Sequence, residues 1–282
     1  MPPDNFAAFI LTHGRPEKVK TLRTLERSGY TGPVFLICDD EDPTLPEYRE
    51  RYGDKVVTFS KADVHVDTCD NLESRRGVVY ARNASFDIAE RLGFRYFIQL
   101  DDDYTAFSFR ARGDALEYGT WNIPCLDNVF GLLLEYFKTI PAASLCFCQG
   151  GDYIGGMGNK HVREIGAKRK AMNTFIFDTQ RRVEFLGRVN EDVNMYVTLG
   201  RRGALFLTLM SVQIVQVNTQ QSSGGMTEIY LDGGTYQKSF YSVMVEPSCV
   251  KIAEMGEVNF RVHHFINWKA AAPMIIRETF RK

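Results

Sequence analysis

Three consecutive carboxylates, Asp101, Asp102 and Asp103, close the apolar run FIQL at residues 97–100. Packing gives no reason for this, because clustered carboxylates repel one another and resist burial. On an extended segment Asp101 and Asp103 fall on one side and Asp102 on the other. Two hard oxygen donors on one side suit Mg2+ or Mn2+, which keeps several waters and takes phosphate oxygens as well. An ion of that kind across a diphosphate neutralises charge on a departing phosphate. Taken alone, the triplet would also be explained by a solvated acidic turn. A second acidic pair, Glu191 and Asp192, opens the segment NEDVNMYVTLGRRG. Acidic residues suit a helix N-terminus, and one turned toward a hydroxyl would act as a general base. Adjacent helical residues point about 100° apart, so only one of the two can face a given ligand. Arg15, Arg75, Arg76 and Arg82 compete as partners for a diphosphate. His263 and His264 would face opposite ways on a strand, so at most one is a metal ligand.

The elements that must position these residues alternate through the first hundred positions. NFAAFILT predicts a buried strand, and EKVKTLRTLERSG predicts a helix with Val19, Leu22 and Leu25 on one face and Gly29 as its C-cap. GPVFLICDDED and DKVVTFSK read as further strands, GVVYARNASFDIAERLG as a helix stopped by Gly93, and FRYFIQLDDD as the fourth strand. Short apolar strands alternating with helices indicate a mostly parallel sheet covered on both faces, with ligands at the strands' carboxyl ends. Three of those ends read THGR, CDDED and LDDD, so Thr12, His13 and Arg15 converge with Asp39, Asp40 and the aspartate triplet. In the second half the pattern predicts a helix over 125–139 and strands at ASLCFCQG, MNTFIFDT and ALFLTLMSVQIVQV. A helix follows Asn190, QQSSGGMTEIYLDGG reads as a mobile loop, TYQKSFYSVMVEP as a helix, and NFRVHHFINW ends the pattern.

Composition bounds the class. The 282 residues are 44% hydrophobic and 24% charged, with a net charge of -1, which fits one sizeable soluble domain. The six cysteines form no CxxC pair and have no histidine at zinc-ligand spacing, so they read as reduced core or strand residues. The N-terminal apolar run is too short for a signal peptide and no later stretch spans a bilayer, so a cytoplasmic protein without a membrane partner is expected. Residues 160–202 hold ten Lys or Arg against five acids, and REIGAKRKAMN is densest, a stretch able to grip phosphates or simply to form a solvated face.

The segment RRGVVYARNASFDIAERLGFRYFIQLDDD resembles the nucleotide-sugar-binding half of a GT-A glycosyltransferase, where a helix opening with an Arg-Asn pair (Arg82 and Asn83) precedes the metal-bearing strand. The resemblance extends further: LTHGRPEKVKTLRTLERSGYTGPVFLICDDED, VVYARNASFDIAERLGFRYFIQLDDDYTAF, GGMTEIYLDGGTYQKSFYSVM and RVHHFINW together are similar to the TET-associated glycosyltransferases of phages and bacteria, relatives of the enzyme that makes base J. It implies an α/β GT-A fold over residues 1–282, with a nucleotide-sugar-binding half at 1–110 and an acceptor-binding, catalytic half at 111–282. It implies transfer of a sugar from a UDP-sugar to the hydroxyl of 5-hydroxymethylcytosine, or a similar hydroxymethyl pyrimidine, in DNA. By the same resemblance Asp192, in preference to Glu191, is the catalytic base of an inverting reaction. Thr12, His13, Arg15, Asp39, Asp40, Arg76, Arg82, Asp101 and Asp102 would bind the donor. Asp101, Asp103 and His264 would hold Mn2+ or Mg2+. An acceptor base in a duplex must be reached in the major groove or flipped out, and Tyr104, Phe107, Tyr118, Trp121, Tyr153 and Tyr230 are candidates to stack on it. A GT-A enzyme acting on a polysaccharide or lipid-linked acceptor would share the donor site, and a non-catalytic DNA-binding protein could keep the fold.

Overall fold

A computed structural model describes residues 1–70, 74–112, 118–153, 166–216, 237–255 and 261–280. The chain runs β1 (Phe6–Leu11), α1 (Lys20–Arg27), β2 (Val34–Asp39), α2 (Leu45–Tyr52), β3 (Val56–Phe59), α3 (Val79–Arg91), β4 (Tyr96–Asp101), β5 (Tyr104–Arg112) and β6 (Tyr118–Asn122). It continues with α4 (Leu126–Thr139), β7 (Ala142–Gln149), β8 (Phe175–Asp178), α5 (Glu191–Arg201), β9 (Leu205–Gln216), α6 (Gln237–Val245), β10 (Val250–Met255), β11 (Arg261–Ile266) and α7 (Trp268–Ala271).

Nine strands form one sheet in the order β3-β2-β1-β4-β8-β7-β9-β5-β6, and β10 pairs with β11 in a separate hairpin. The expected α/β arrangement is present. Strands β1 to β4 are mutually parallel; β8 runs against β4 and β7, β9 is parallel to β7, and β5 runs against β9 and β6. Only β8 and β5 therefore oppose the common direction. The carboxyl ends of β1, β2, β4, β7 and β9 share one edge, as a doubly covered sheet requires of a site built from strand ends.

The strands are apolar at nearly every position because both faces are covered. Alternate side chains of β1 and β4 divide between two cores. Ala7, Phe9, Leu11 and Phe97 pack with Phe86 of α3 and with Val193 and Tyr196 of α5. Phe6, Ala8, Ile10, Ile98 and Leu100 pack with Leu22 and Leu25 of α1 and with Phe130, Leu134 and Phe137 of α4. All six cysteines are free thiols, four of them buried, as the sequence led one to expect.

Some elements differ from expectation. Helix α2 and strands β5, β6 and β10 occupy stretches to which the sequence reading assigned nothing. Tyr104 and Phe107, expected as possible stacking partners for a base, are fully buried core residues, and Tyr153 is also buried, whereas Trp121 is half exposed on the edge strand. The stretch QQSSGGMTEIYLDGG, with Tyr230, lies outside the described residues, as does the side chain of Tyr118. No helix among the described residues is long and apolar enough to cross a membrane.

Candidate active site at the carboxyl edge of the sheet

Strand β4 ends at Asp101, so Asp102 and Asp103 form the turn that follows it and the alternation expected for an extended triplet does not apply. Asp102 turns inward and is fully buried; its Oδ2 accepts from Thr12 Oγ1 at 2.7 Å and from Arg15 Nε at 2.8 Å. Arg15 Nη2 approaches Asp102 Oδ1 at 2.7 Å, and the Asp102 carbonyl accepts from the amides of Lys20 and Thr21. Thr12 Oγ1 also bonds to the Tyr48 hydroxyl at 2.7 Å. Thr12, Arg15 and Asp102 thus form one internal clamp that fixes the loop after β1 to the tip of β4. Their polar atoms face each other.

Asp101 faces Arg82, while Asp103 sits beside Asp102 in the turn. Burial, aided by the nearby Asp103 charge and opposed by Arg82, pushes the Asp101 carboxyl up to about 7. Burial and the adjacent Asp102 raise Asp103 as well. Two carboxylates held close together in a poorly solvated place favour a cation between them. Their oxygen donors fit Mg2+ or Mn2+, which needs few protein ligands and completes its shell with water and phosphate. Among the described residues no three His, Cys, Asp or Glu form a ready-made metal cluster. His264 lies on the β10–β11 hairpin, opposite Ile252; burial and His263, whose ring lies 4.3 Å away, lower it to about 4, and its buried Nδ1 has no hydrogen-bond partner among the described residues. It is a neutral imidazole with a vacant nitrogen, yet it is not grouped with Asp101 and Asp103.

Arg82 connects the strand tip to the second acidic pair. Its side chain is 2% exposed; Nη2 donates to Asp101 Oδ1 at 3.2 Å and Nε donates to Glu191 Oε1 at 2.8 Å. The guanidinium stacks near Phe175 and Phe185, 5.4 and 5.6 Å from their centroids. Two of its nitrogens are thus held by protein carboxylates, and Nη1 is buried without a hydrogen-bond partner among the described residues. Its neighbour Asn83 exchanges two hydrogen bonds with the backbone of Phe185. The stretch from Phe185 to α5 is further fixed by Arg188, which forks onto Asp70 at 3.0 and 2.9 Å, and by Asn190, whose Nδ2 donates to the Lys238 carbonyl. Asn190 takes a left-handed conformation, which asparagine tolerates, and turns the chain into α5.

Glu191 and Asp192 are both buried at that helix start. Glu191 faces Arg82, so the rule that only one of the pair can face a ligand leaves Asp192 as the other direction. Asp192 Oδ1 accepts from the Val193 amide at 2.8 Å, and its carboxyl is raised by burial and by the adjacent Glu191 charge.

The third acidic turn follows β2. Asp39 Oδ2 meets His13 Nδ1 at 2.7 Å, and its Oδ1 pairs with the buried Lys61 at 2.9 Å. Burial opposes ionisation of Asp39, but the bonds from His13 and Lys61 prevail and hold it below the ordinary carboxylate range. His13 is raised in turn, chiefly by that bond. Asp40 is exposed and lowered, first by the Lys61 amide that donates to it at 3.0 Å. Asp42 is buried and anchors the loop by accepting from the Gly14 amide at 2.7 Å. Arg75 donates to Glu41 at 2.6 Å, which lays the stretch carrying the exposed Arg76 beside this turn. Lys61 is the participant that the sequence did not single out; a lysine two residues past an apolar strand end gives no sign of its partner.

No curated protein matches the chain in sequence. Among solved structures it is similar to glucosyl-3-phosphoglycerate synthase from Mycobacterium tuberculosis in complex with Mg2+ and UDP, at 8% identity and a TM-score of 0.49, covering 93% of this chain and 87% of that one. It is also similar to mannosyltransferase PcManGT from Pyrobaculum calidifontis in complex with GDP-Man and Mn2+, at 11% identity and a TM-score of 0.47, covering 87% and 74%. Similarity to S. aureus TarS, at 14% identity and a TM-score of 0.45, covers 86% of this chain and 39% of that protein. The model of one family, the TET-associated glycosyltransferases, matches residues 6–225, a span that takes in both acidic strand ends, Arg82 and the Glu191–Asp192 helix start. The chain belongs to the TET-associated glycosyltransferase family and is a glycosyltransferase.

Proposed function

We propose that the chain transfers a sugar from a UDP-sugar to the hydroxyl of 5-hydroxymethylcytosine, or a similar hydroxymethyl pyrimidine, in DNA, with inversion at the anomeric carbon. Family membership supports the DNA acceptor. The observation that carries the chemistry is Arg82, which ties the strand-end carboxylate Asp101 to the start of α5 and so gathers the two acidic groups at one place.

In this reading residues 1–110 bind the donor and residues 111–282 supply the acceptor side and the base, within one domain. Asp39, held ionised by His13 and Lys61, and Asp40 accept hydrogen bonds from the nucleoside. Asp101 and Asp103 would hold Mg2+ or Mn2+, with His264 as a further candidate ligand; when bound, the ion neutralises diphosphate charge. Asp192 takes the proton of the acceptor hydroxyl. The hydroxyl oxygen forms its bond to the anomeric carbon as the bond from that carbon to the diphosphate oxygen breaks, and UDP leaves with the electron pair. Glu191 stays on Arg82 and keeps the pair of carboxylates from pointing the same way.

The test is incubation with hydroxymethylated DNA and a panel of UDP-sugars, followed by nucleoside mass spectrometry. A hexosyl or pentosyl mass increment on the modified pyrimidine is expected. Donor turnover with polysaccharide or lipid-linked acceptors, and none with DNA, would overturn the assignment of acceptor.

A further inference from the structure

A second polar cluster stands at the same sheet edge, where β7 ends. The buried Asp152 accepts from Arg169 Nη2 at 2.8 Å and Lys170 Nζ at 3.1 Å through Oδ1, and from the Gln149 amide at 2.9 Å through Oδ2. Arg169 Nη2 also reaches the Asp152 carbonyl at 3.3 Å, and Lys170 Nζ reaches Gln149 Oε1 at 3.4 Å. Arg110 stacks 4.3 Å from the Tyr153 ring centroid, Tyr153 bonds to Cys148 Sγ, and Arg110 Nη1 donates to Thr120. Tyr153 follows Asp152 directly, so the Arg110 guanidinium on its ring lies beside the Asp152 pairings.

Among the described residues two cations, Arg169 and Lys170, pair with Asp152, with Arg110 nearby on Tyr153. The unpartnered buried atoms there are mainly donors: Nε and Nη1 of Arg169, Nε of Arg110 and Nε2 of Gln149, with Gln213 Oε1 as an acceptor on the neighbouring strand. Arg169 is nine-tenths buried, and a buried guanidinium with two nitrogens unbonded is costly unless an acceptor arrives. The missing component is an anion with several oxygen acceptors.

We infer that Arg169, Lys170 and Arg110 form a phosphate subsite, which receives the phosphodiester next to the nucleotide being modified. The assignment of that phosphate to an acceptor strand rests on the proposed DNA substrate. It gives the basic stretch around residue 169 a specific role: Arg169 is turned inward to position the acceptor, while generic salt-screened attraction is left to exposed residues.

The test compares the wild type with Lys170→Gln, Arg110→Gln and Arg169→Gln. Two acceptors are used, a short oligonucleotide containing 5-hydroxymethylcytosine and the free 5-hydroxymethyl-2′-deoxycytidine nucleoside. Loss of one phosphate contact should lower the salt-dependence slope of oligonucleotide binding by about one and raise KM for the oligonucleotide by about tenfold more than for the nucleoside. Inorganic phosphate should raise the melting temperature of the wild type and fail to do so for Arg169→Gln or Lys170→Gln. Sugar transfer to DNA with an unchanged salt slope in the folded Lys170→Gln and Arg110→Gln variants would overturn the subsite and leave the DNA reading standing. Phosphate stabilisation that depends on Lys170, without transfer to DNA, would keep the subsite and remove the DNA reading.

Discussion

Replacing Arg82 by methionine removes the one cation between Asp101 and Glu191 while keeping an unbranched side chain of similar reach. Arg82 is 2% exposed and pairs at 2.8 and 3.2 Å, so its loss leaves buried carboxylates without their countercharge. Breaking a buried ion pair from one side costs about 3–5 kcal/mol. In a domain of this size that corresponds to a fall in Tm of about 10 °C. The loss has a definite pH dependence. Burial already raises Asp101 to about 7 against the opposing charge of Arg82, so without that charge its folded value rises further above the unfolded one. Stability from such a group is full below about pH 4 and is lost as pH rises toward the raised value, so the variant falls behind the wild type above about pH 7. The deficit of Arg82→Met relative to wild type should therefore be larger at pH 7.5 than at pH 5, measured by circular-dichroism melting without added metal. The double variant Arg82→Met, Glu191→Leu should recover part of the lost stability, because a buried pair replaced by apolar groups avoids the stranded charge. Equal deficits at both pH values, or strict additivity of the two substitutions, would refute the bridging role given to Arg82.

Asp192→Asn should leave UDP binding intact and lower turnover by about 10²–10⁴-fold, measured by UDP release with an acceptor present; unchanged turnover would remove it from the mechanism. Asp103→Asn should make UDP affinity insensitive to EDTA, where the wild type binds more tightly with Mn2+ in calorimetry. Asp102→Asn acts on the internal clamp, so it should cost about 2 kcal/mol in denaturant melts, with the metal dependence of UDP binding retained. His13→Asn should lower Tm at pH 5.5 and less so at high pH. The raised His13 pKa makes its stabilisation complete below about pH 6.5 and lost as pH climbs past the folded value. Since His13 is 42% exposed, that effect should be no more than about 1 kcal/mol.

Local pattern carried much of this architecture. The apolar runs of β1, β2 and β4 follow from strand geometry alone, whereas the alternation expected across the aspartate triplet stops at Asp101, where the strand ends. The acidic start of α5 was likewise visible as Glu191–Asp192 beside a helical period. What local pattern could not carry was pairing at a distance. Arg15 meets Asp102 across 87 positions, and Arg82 meets Glu191 across 109. Nothing nearby in the chain announces the carboxylate that each arginine pairs with. Lys61 was passed over for the same reason. The segment TAFSFRAR does alternate and could have been read as β5, but the preceding aspartates suggest a loop; LPEYRERY is too short and too charged to announce α2.

The neighbours of β4 have a consequence for how the protein is made. One flank of β4 is covered by β1, which precedes it, and the other by β8, which the ribosome reaches only after α4 and β7. Until Phe175–Asp178 emerge, the backbone of the strand bearing the aspartates is an open template for another chain. A nascent chain stalled between residues 102 and 174 should therefore be a target for holdase chaperones, and an expressed fragment ending near residue 110 should precipitate.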